Sequence, residues 1–229
     1  MHSTLDHAPA RASLPIVRTD NCAVRVRRLG RTAYTETFAR MREFSAAREA
    51  STPDEIWLTE HPPVYTLGLA AKPHHLLDAG GIEVAKCDRG GQVTYHGPGQ
   101  AIAYVLVDLQ RRGIRVRELV SLMESALIDT LADFGIAGVR RVGMPGVYVG
   151  AAKIAALGLK VRHGRSYHGA SLNVDLDLAP FAGINPCGYP GLASTSLKEL
   201  GAVASVSDAG EKVAVHLTAL LEHYSAARP

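Results

Sequence analysis

The chain has 229 residues with 47% apolar and 21% charged side chains, a balance that excludes wholesale disorder, a collagen-like chain and a coiled coil. Its length suits one large domain or two small ones, and it folds without staples because roughly 70% of the unfolded surface is buried at this size. The net charge of +3 is too mild for a dedicated nucleic-acid binder, and the longest apolar runs, such as Ala101 to Val107, fall far short of the roughly 18 residues of a membrane span. The first 20 residues have no apolar core of a secretory signal. Cys22, Cys87 and Cys187 are an odd set without CxxC spacing, so neither a disulfide framework nor a thiolate zinc site is expected. These features point to a reducing compartment, the cytoplasm, and to no membrane or nucleic-acid partner.

Residues 1–20 mix Ser, Pro, Ala and His without periodicity and read as a loose tail. Residues 21–229 show no repeat and no composition break, and read as a single domain. Alternation over residues 23–27 predicts a strand. Tyr34, Phe38, Met41 and Phe44 recur at helical spacing and predict an amphipathic helix of about 18 residues. Glu55 to Thr59 and Val64 to Leu67 read as strands broken by His61-Pro62-Pro63, because proline cannot join a central ladder. Val93 to Tyr95 and Ile102 to Leu109 are strand-like around a Gly/Pro-rich turn.

A second helix is expected from Val116 to Phe134, with Leu119, Val120, Met123, Leu127, Leu131 and Phe134 inward and Gly135 as its stop. Val147 to Val149, Lys153 to Val161 and Ser171 to Leu176 follow as strands. Ser196-Leu197-Lys198-Glu199 and Asp208-Ala209-Gly210-Glu211 resemble helix N-terminal boxes. The last helix carries Val213, Leu217, Leu220, Leu221 and Tyr224 on one face. Strands outnumber helices and tight turns join many of them. The expected fold class is α/β (α+β): a mixed, largely antiparallel sheet flanked by helices.

Four clusters bear on chemistry. The run Arg89-Gly90-Gly91-Gln92-Val93-Thr94-Tyr95-His96-Gly97-Pro98-Gly99-Gln100 sits between two apolar strands. It is either an ordinary glycine-rich hairpin or a loop whose backbone approaches a ligand, with Arg89, Thr94, Tyr95 and His96 around an acyl carbonyl. It matches neither the Walker A pattern nor the dinucleotide fingerprint. Lys153, among Ala151, Ala152, Ile154, Ala155 and Ala156, either snorkels to solvent or is a buried amine of altered chemistry. His168, before Gly169, Ala170 and Ser171, reads as a core or turn histidine. Cys187 lies in a turn between Pro186 and Gly188, where a thiolate is a competent nucleophile. Cys22 and Cys87, beside strand-like runs, read as inert. The residues alone suggest cysteine-dependent acyl transfer or hydrolysis. The basic groups at Arg25, Arg27, Arg28, Arg111, Arg112, Arg115, Arg117, Arg140 and Arg141 are a solvated surface or an attraction for an acidic partner.

These clusters, in this order, resemble the lipoyl(octanoyl) transferase family of lipoate biosynthesis. The resemblance runs from about His61-Pro62-Pro63 to Gly191, and the long motif from Arg89 to Gln100 carries most of it. Lys153-Ile154-Ala155 and Asn185-Pro186-Cys187-Gly188 stand where that family has its catalytic lysine and cysteine. The resemblance implies the fold of the biotin and lipoate protein ligases. It implies transfer of an octanoyl group from acyl carrier protein to a lysine of lipoyl domains, those of the 2-oxoacid dehydrogenase complexes and the glycine cleavage H protein, with no cofactor or metal. Carried over by position, Cys187 would form an acyl thioester. Lys153 would favour its thiolate and shuttle protons. Arg89, Gly90, Gly91, Gln92, Val93, Thr94, Tyr95, His96, Ala156, Leu157, Gly158, Gly169, Ala170 and Ser171 would line the acyl site. Small residues such as Gly158, Gly169 and Ala170 suit a channel for a straight alkyl chain. Lys153 or His96 would deprotonate the acceptor amine. The alternatives are an ATP-dependent lipoate or biotin protein ligase, which forms an acyl-adenylate and has no need of Cys187, and a non-catalytic lipoyl-domain binder.

Overall fold

The computed structural model describes residues 23–224. The tail expected over residues 1–20 lies outside the described residues, as does Cys22. The described residues form ten strands: β1 (Val24–Arg31), β2 (Asp54–Glu60), β3 (Val64–Leu67), β4 (Glu83–Lys86), β5 (Val93–His96), β6 (Gln100–Leu106), β7 (Val139–Arg141), β8 (Met144–Val149), β9 (Ala152–Arg162) and β10 (Arg165–Asn173). Seven of them form one sheet in the order β1-β2-β6-β10-β9-β8-β7, and β4-β3-β5 form a second. In the large sheet only β1 and β2 run parallel. In the small one β3 is parallel to β4 and antiparallel to β5. The mixed, mostly antiparallel sheet is as the sequence reading expects.

Strand β6 shows why the layers stack as they do. All seven of its residues are buried. Ala101, Ala103 and Val105 face the helices α3 (Val116–Asp133) and α4 (Val206–His223), meeting Leu119, Met123, Leu127 and Leu217. Ile102, Tyr104 and Leu106 point the other way, toward Met41 of α1 (Tyr34–Ala47) and Trp57. A two-residue period places alternate side chains on opposite faces, so a strand covered on both faces is apolar along its middle, here from Ala101 onward, while the buried Gln100 at its start is hydrogen-bonded. Each such leucine contributes about 1.5–3 kcal/mol by burial.

A buried carboxylate ties three elements together. Asp54 opens β2 and is fully enclosed by Arg48, Arg111 and Arg112, with the Arg111 Nη2 at 2.6 Å. The last two belong to the short helix α2 (Leu109–Arg112). Several other basic residues are also paired: Arg27 with Glu55, Arg28 with Glu211, Arg115 with Glu118 and Arg140 with Glu124. Much of the basic charge noted in the sequence therefore stabilises the fold instead of standing free.

Local expectations change where tertiary contacts or caps override pattern. The helix from Tyr34 has 14 residues, not 18. The strand expected to reach Leu109 stops at Leu106, because Asp108 caps α2, its side chain accepting from the Arg111 N–H at 3.0 Å. Strand β10 begins at Arg165 and ends at Asn173 instead of spanning Ser171 to Leu176. Its first half, with His168, lacks apolar alternation, yet pairs with β9, and from Gly169 onward the strand pairs with β6 as well. Ser196 does cap a turn, through the Glu199 N–H at 3.2 Å, but no helix follows. Helix α4 starts one turn before the expected box, at Val206, with Ser205 accepting from the Asp208 N–H at 3.0 Å. Strands β4 and β7 are short and mostly exposed, and left no apolar signal to read.

Candidate active site

Lys153 and Cys187 are 34 positions apart and converge: the lysine Nζ lies 3.0 Å from the cysteine Sγ. Strand β9 carries Lys153 near its start, beside the turn from β8. The backbone there is fixed from the side, the Lys153 N–H donating to Ala193 O at 2.8 Å and its carbonyl accepting from the Thr195 N–H at 3.0 Å. The ammonium also donates to Pro145 O at 2.8 Å and lies 5.4 Å from the centre of the Tyr148 ring. Lys153 is only 5% exposed, and no carboxylate pairs with it among the described residues. A buried cation without a carboxylate gains most from an anion placed beside it.

Cys187 sits in a one-turn 3-10 helix, Pro186–Gly188, in the left-handed region at φ 55°. Non-glycine residues adopt this conformation rarely, and it recurs both in tight turns and at active sites. The turn is held by the Asn185 N–H donating to His75 O at 2.8 Å and the Gly188 N–H donating to Asn185 O at 2.9 Å. Cys87, by contrast, lies beside β4, its thiol donating to Leu67 O at 3.2 Å.

The pair stands on the wall of a cavity of about 390 Å³, within the range of small-molecule sites. Residues 89–94, His96, residues 156–158 and residues 169–171 line it together with Lys153 and Cys187. Tyr95 does not: strand alternation sends it to the far face of β5, where its ring meets Tyr65 at 5.5 Å and Phe181 at 5.6 Å. Its expected place at the acyl site is thereby corrected.

Several lining residues have a structural task. The Arg89 guanidinium donates to Thr66 O at 2.7 Å and to Gln92 O at 2.8 Å, clamping the glycine loop instead of reaching for an acyl oxygen. The loop is tied to β9 by the Gly90 N–H donating to Leu159 O at 2.8 Å. A Cβ on Gly158 would lie 3.0 Å from Arg89 Cδ, and one on Gly169 would overlap Ala103 O at 1.9 Å. The lack of a side chain at these two positions of the cavity wall permits close packing of backbone and side chain.

The sequence reading did not anticipate the aromatic and imidazole part of the wall, which includes Tyr34, Tyr104, Tyr148 and His168. His168 is at φ 61°, stacks on Phe38 at 5.2 Å and has Nε2 3.0 Å from Asp88 Oδ1. Burial pushes it down to about 4, against the pull of Asp88. His96 has Nδ1 2.7 Å from Gln100 Oε1. Burial, with His61 beside it, pushes it down to about 3. Both rings are neutral near pH 7. The positive φ of His168 is invisible in composition. A histidine ahead of Gly169-Ala170-Ser171 was the one available signal.

Comparison with known proteins bears on the family and the fold. The lipoyl protein ligase A/B catalytic domain model matches residues 33–218. The octanoyltransferase of Aromatoleum aromaticum is 59% identical over 208 residues, 90% of each chain. Among solved structures, the bipartite lipoate protein ligase of Thermoplasma acidophilum superposes with a TM-score of 0.72 at 15% identity, covering 87% of this chain and 84% of that one. The biotin protein ligase of Aquifex aeolicus does so with a TM-score of 0.53 at 11% identity, covering 88% and 71%. The ligases share the fold, whereas the identity over nearly the whole length lies with transferases. The chain belongs to the octanoyltransferases of the lipoyl protein ligase A/B catalytic-domain family, acyltransferases of lipoate biosynthesis.

Proposed function

We propose that the chain moves an octanoyl group from octanoyl-acyl carrier protein to the ε-amine of one lysine on lipoyl domains, through a thioester on Cys187. The acceptors are the lipoyl domains of 2-oxoacid dehydrogenase complexes and the glycine cleavage H protein, met in the cytoplasm. Residues 21–229 act as one catalytic domain. The observation that carries the reading is the 3.0 Å approach of Lys153 Nζ to Cys187 Sγ on the wall of the cavity.

The chemistry follows from that contact. The Lys153 ammonium favours the Cys187 thiolate, the nucleophilic form. Sulfur attacks the donor thioester, a new C–S bond forms, and the carrier thiol leaves. One thioester replaces another of similar energy, so this step needs no external activation. The acceptor amine then attacks the Cys187 thioester, and an amide forms as the C–S bond breaks. The amide is the more stable product and drives the transfer. Splitting the reaction in two lets the donor depart before the acceptor docks. Residues 89–94, His96, residues 156–158 and residues 169–171 form the acyl site in this reading.

A ligase working through an acyl-adenylate has no use for a thiol beside its lysine. The test is a reaction of purified protein with octanoyl-carrier protein and apo lipoyl domain, with and without ATP. The reading expects octanoyl amide on the acceptor lysine at equal rates in both. Dependence on ATP would favour a ligase, and release of free octanoate in the presence of acceptor would favour a thioesterase.

A further inference from the structure

Beside the dyad stands a buried hydroxyl with nothing to bind. Tyr148 is 0% exposed and lines the cavity together with Lys153 and Cys187. Its Oη has no hydrogen-bond partner among the described residues. Buried polar groups are paired in the great majority of cases, so one left open on a cavity wall points to a group that arrives with the substrate.

A β-bulge puts the hydroxyl there. Val147 pairs with Ala155 and Tyr148 with Lys153, which makes Ile154 the extra residue of β9. Ile154 and Ala155 both belong to the core beneath α3 and α4, whereas Lys153 is turned to the cavity beside Tyr148. Bulges re-aim side chains in this way next to active sites. The Lys153 Nζ lies 5.4 Å from the centre of the Tyr148 ring, and the hydroxyl interacts electrostatically with both Lys153 and Cys187. Burial pushes this hydroxyl above the ordinary tyrosine value, against the pull of Lys153. At neutral pH it carries its proton and is a donor. The cationic side chains nearby are already engaged. Lys153 donates to Pro145 O and to Cys187 Sγ, Arg89 to Thr66 O, Gln92 O and Gly90 O, and Arg141 to Gly150 O at 2.7 Å.

We infer that the Tyr148 hydroxyl donates to the carbonyl oxygen of the acyl group at Cys187 and stabilises the oxyanion formed in both steps of the transfer. The inference deepens the proposed function and rests on its Cys187 thioester. When the sulfur attacks the donor, a C–S bond forms and the π pair of the carbonyl moves to oxygen. The oxygen holds that charge until the carrier's C–S bond breaks and the pair leaves on the carrier sulfur. In the second step the acceptor amine forms the C–N bond and the same oxygen takes up charge again. The pair then leaves on Cys187, and the proton shed by nitrogen passes through Lys153 to that sulfur. Tyr148 hydrogen-bonds throughout and gives up no proton. A donor fixed in place before the reaction acts where the charge develops.

Tyr148→Phe tests this, because it keeps the ring against which Lys153 and Arg141 lie and removes only the oxygen. Loss of one oxyanion donor costs about 10²–10³-fold in kcat, so the variant should lose at least about 100-fold in each step, with KM nearly unchanged. The steps are measured separately, acylation with octanoyl-carrier protein and transfer with purified acyl-enzyme and apo lipoyl domain. Alkylation of Cys187 by iodoacetamide forms no oxyanion and should proceed at the wild-type rate. Equal slowing of alkylation and acylation would overturn the inference, because the hydroxyl would then act on the dyad and not on the acyl oxygen. Wild-type acylation by Tyr148→Phe would overturn it as well. A ¹³C=O label on the octanoyl group supplies a spectroscopic readout. The carbonyl stretch of the Cys187 thioester should rise in Tyr148→Phe as the hydrogen bond is lost, and an unchanged stretch would contradict the contact. Melting temperature should be retained, because the change removes a buried hydroxyl without a partner in the protein. A large fall would show that the hydroxyl is bonded within the protein instead of awaiting substrate. If the wild-type protein forms no Cys187 adduct, the thioester reading itself fails. A normal adduct with unaffected rates in Tyr148→Phe removes only the role of Tyr148.

Discussion

Gly146 and Lys153 compete for the same space: a Cβ on Gly146 would lie 2.5 Å from Lys153 Cε and 2.9 Å from its Nζ. Gly146 also has φ of 137°, a conformation L-residues rarely adopt. Its N–H donates to the buried Glu124 carboxylate at 3.0 Å, which holds the strand in place. The amine of Lys153 reaches Cys187 only because this position has no side chain. Gly146→Ala should displace the ammonium and lower octanoyl transfer by roughly 100-fold, the scale of losing a positioned proton-transfer group. Thermal melting measured alongside separates this from unfolding. Wild-type transfer rates in a folded Gly146→Ala protein would refute the argument.

The Lys153–Cys187 contact makes a second prediction, on thiol reactivity. Iodoacetamide labels thiolates, and an ammonium 3.0 Å away favours that form. Labelling of Cys187 at pH 7 should slow in Lys153→Ala, which removes the charge beside the sulfur. Lys153→Arg keeps the charge and should preserve more labelling than alanine, yet fail in transfer, because a guanidinium does not give up its proton. An unchanged labelling profile in folded Lys153→Ala would show that the lysine does not govern the thiol.

How much of this was legible in the sequence depends on the residue. Lys153 and Cys187 could be singled out because each is chemically odd for its setting, a lysine among alanines and a cysteine between proline and glycine. Their meeting came from the family resemblance, since the long stretch between them hides it from any local pattern. The strands at residues 54–60 and 64–67 and the helix at residues 116–133 were readable from periodicity. Tyr34 and Tyr104 were not readable as cavity wall, because an aromatic on an apolar stripe looks the same whether it packs on protein or on ligand. Gly169 hides a structural reason in a similar way. Its small size answers to the Ala103 carbonyl of a strand distant in the chain, and no local pattern registers that contact.

Charge supplies a third prediction. Many of the noted arginines are engaged by carboxylates, whereas the Arg141 guanidinium lies 4.5 Å over the Tyr148 ring beside the dyad. Transfer from octanoyl-carrier protein should weaken as salt rises, because screening shortens the reach of exposed charges to about 8 Å at physiological ionic strength. A small uncharged octanoyl thioester should be far less sensitive. Arg141→Ala should raise KM for the carrier donor and leave KM for the small one near wild type. Equal salt dependence for both donors would remove electrostatic docking from the account.

The buried histidines make stability depend on pH. His96 and His168 are pushed down to about 3 and about 4 from an ordinary 6.5. The unfolded chain therefore binds protons that the folded one refuses. Stability is full above pH 6.5 and is lost as pH falls toward those lower values, by up to about 1.4 kcal/mol per pH unit for each ring. Urea midpoints at pH 7, 6 and 5 should decline, and His96→Gln should flatten the decline. A midpoint independent of pH over this range would contradict neutral burial of the rings.

The central claim is that the octanoyl group rests on Cys187 between donor and acceptor. Its most direct measurement is an intact-mass spectrum after mixing with octanoyl-carrier protein, repeated after addition of apo lipoyl domain, with the adduct mapped by peptide fragmentation. The account predicts one octanoyl adduct on Cys187, absent in Cys187→Ala and present in Cys22→Ala and Cys87→Ala, that disappears as the acceptor lysine gains the same mass. An adduct mapped to Cys22 or Cys87, or acceptor octanoylation at full rate by Cys187→Ala, would contradict it.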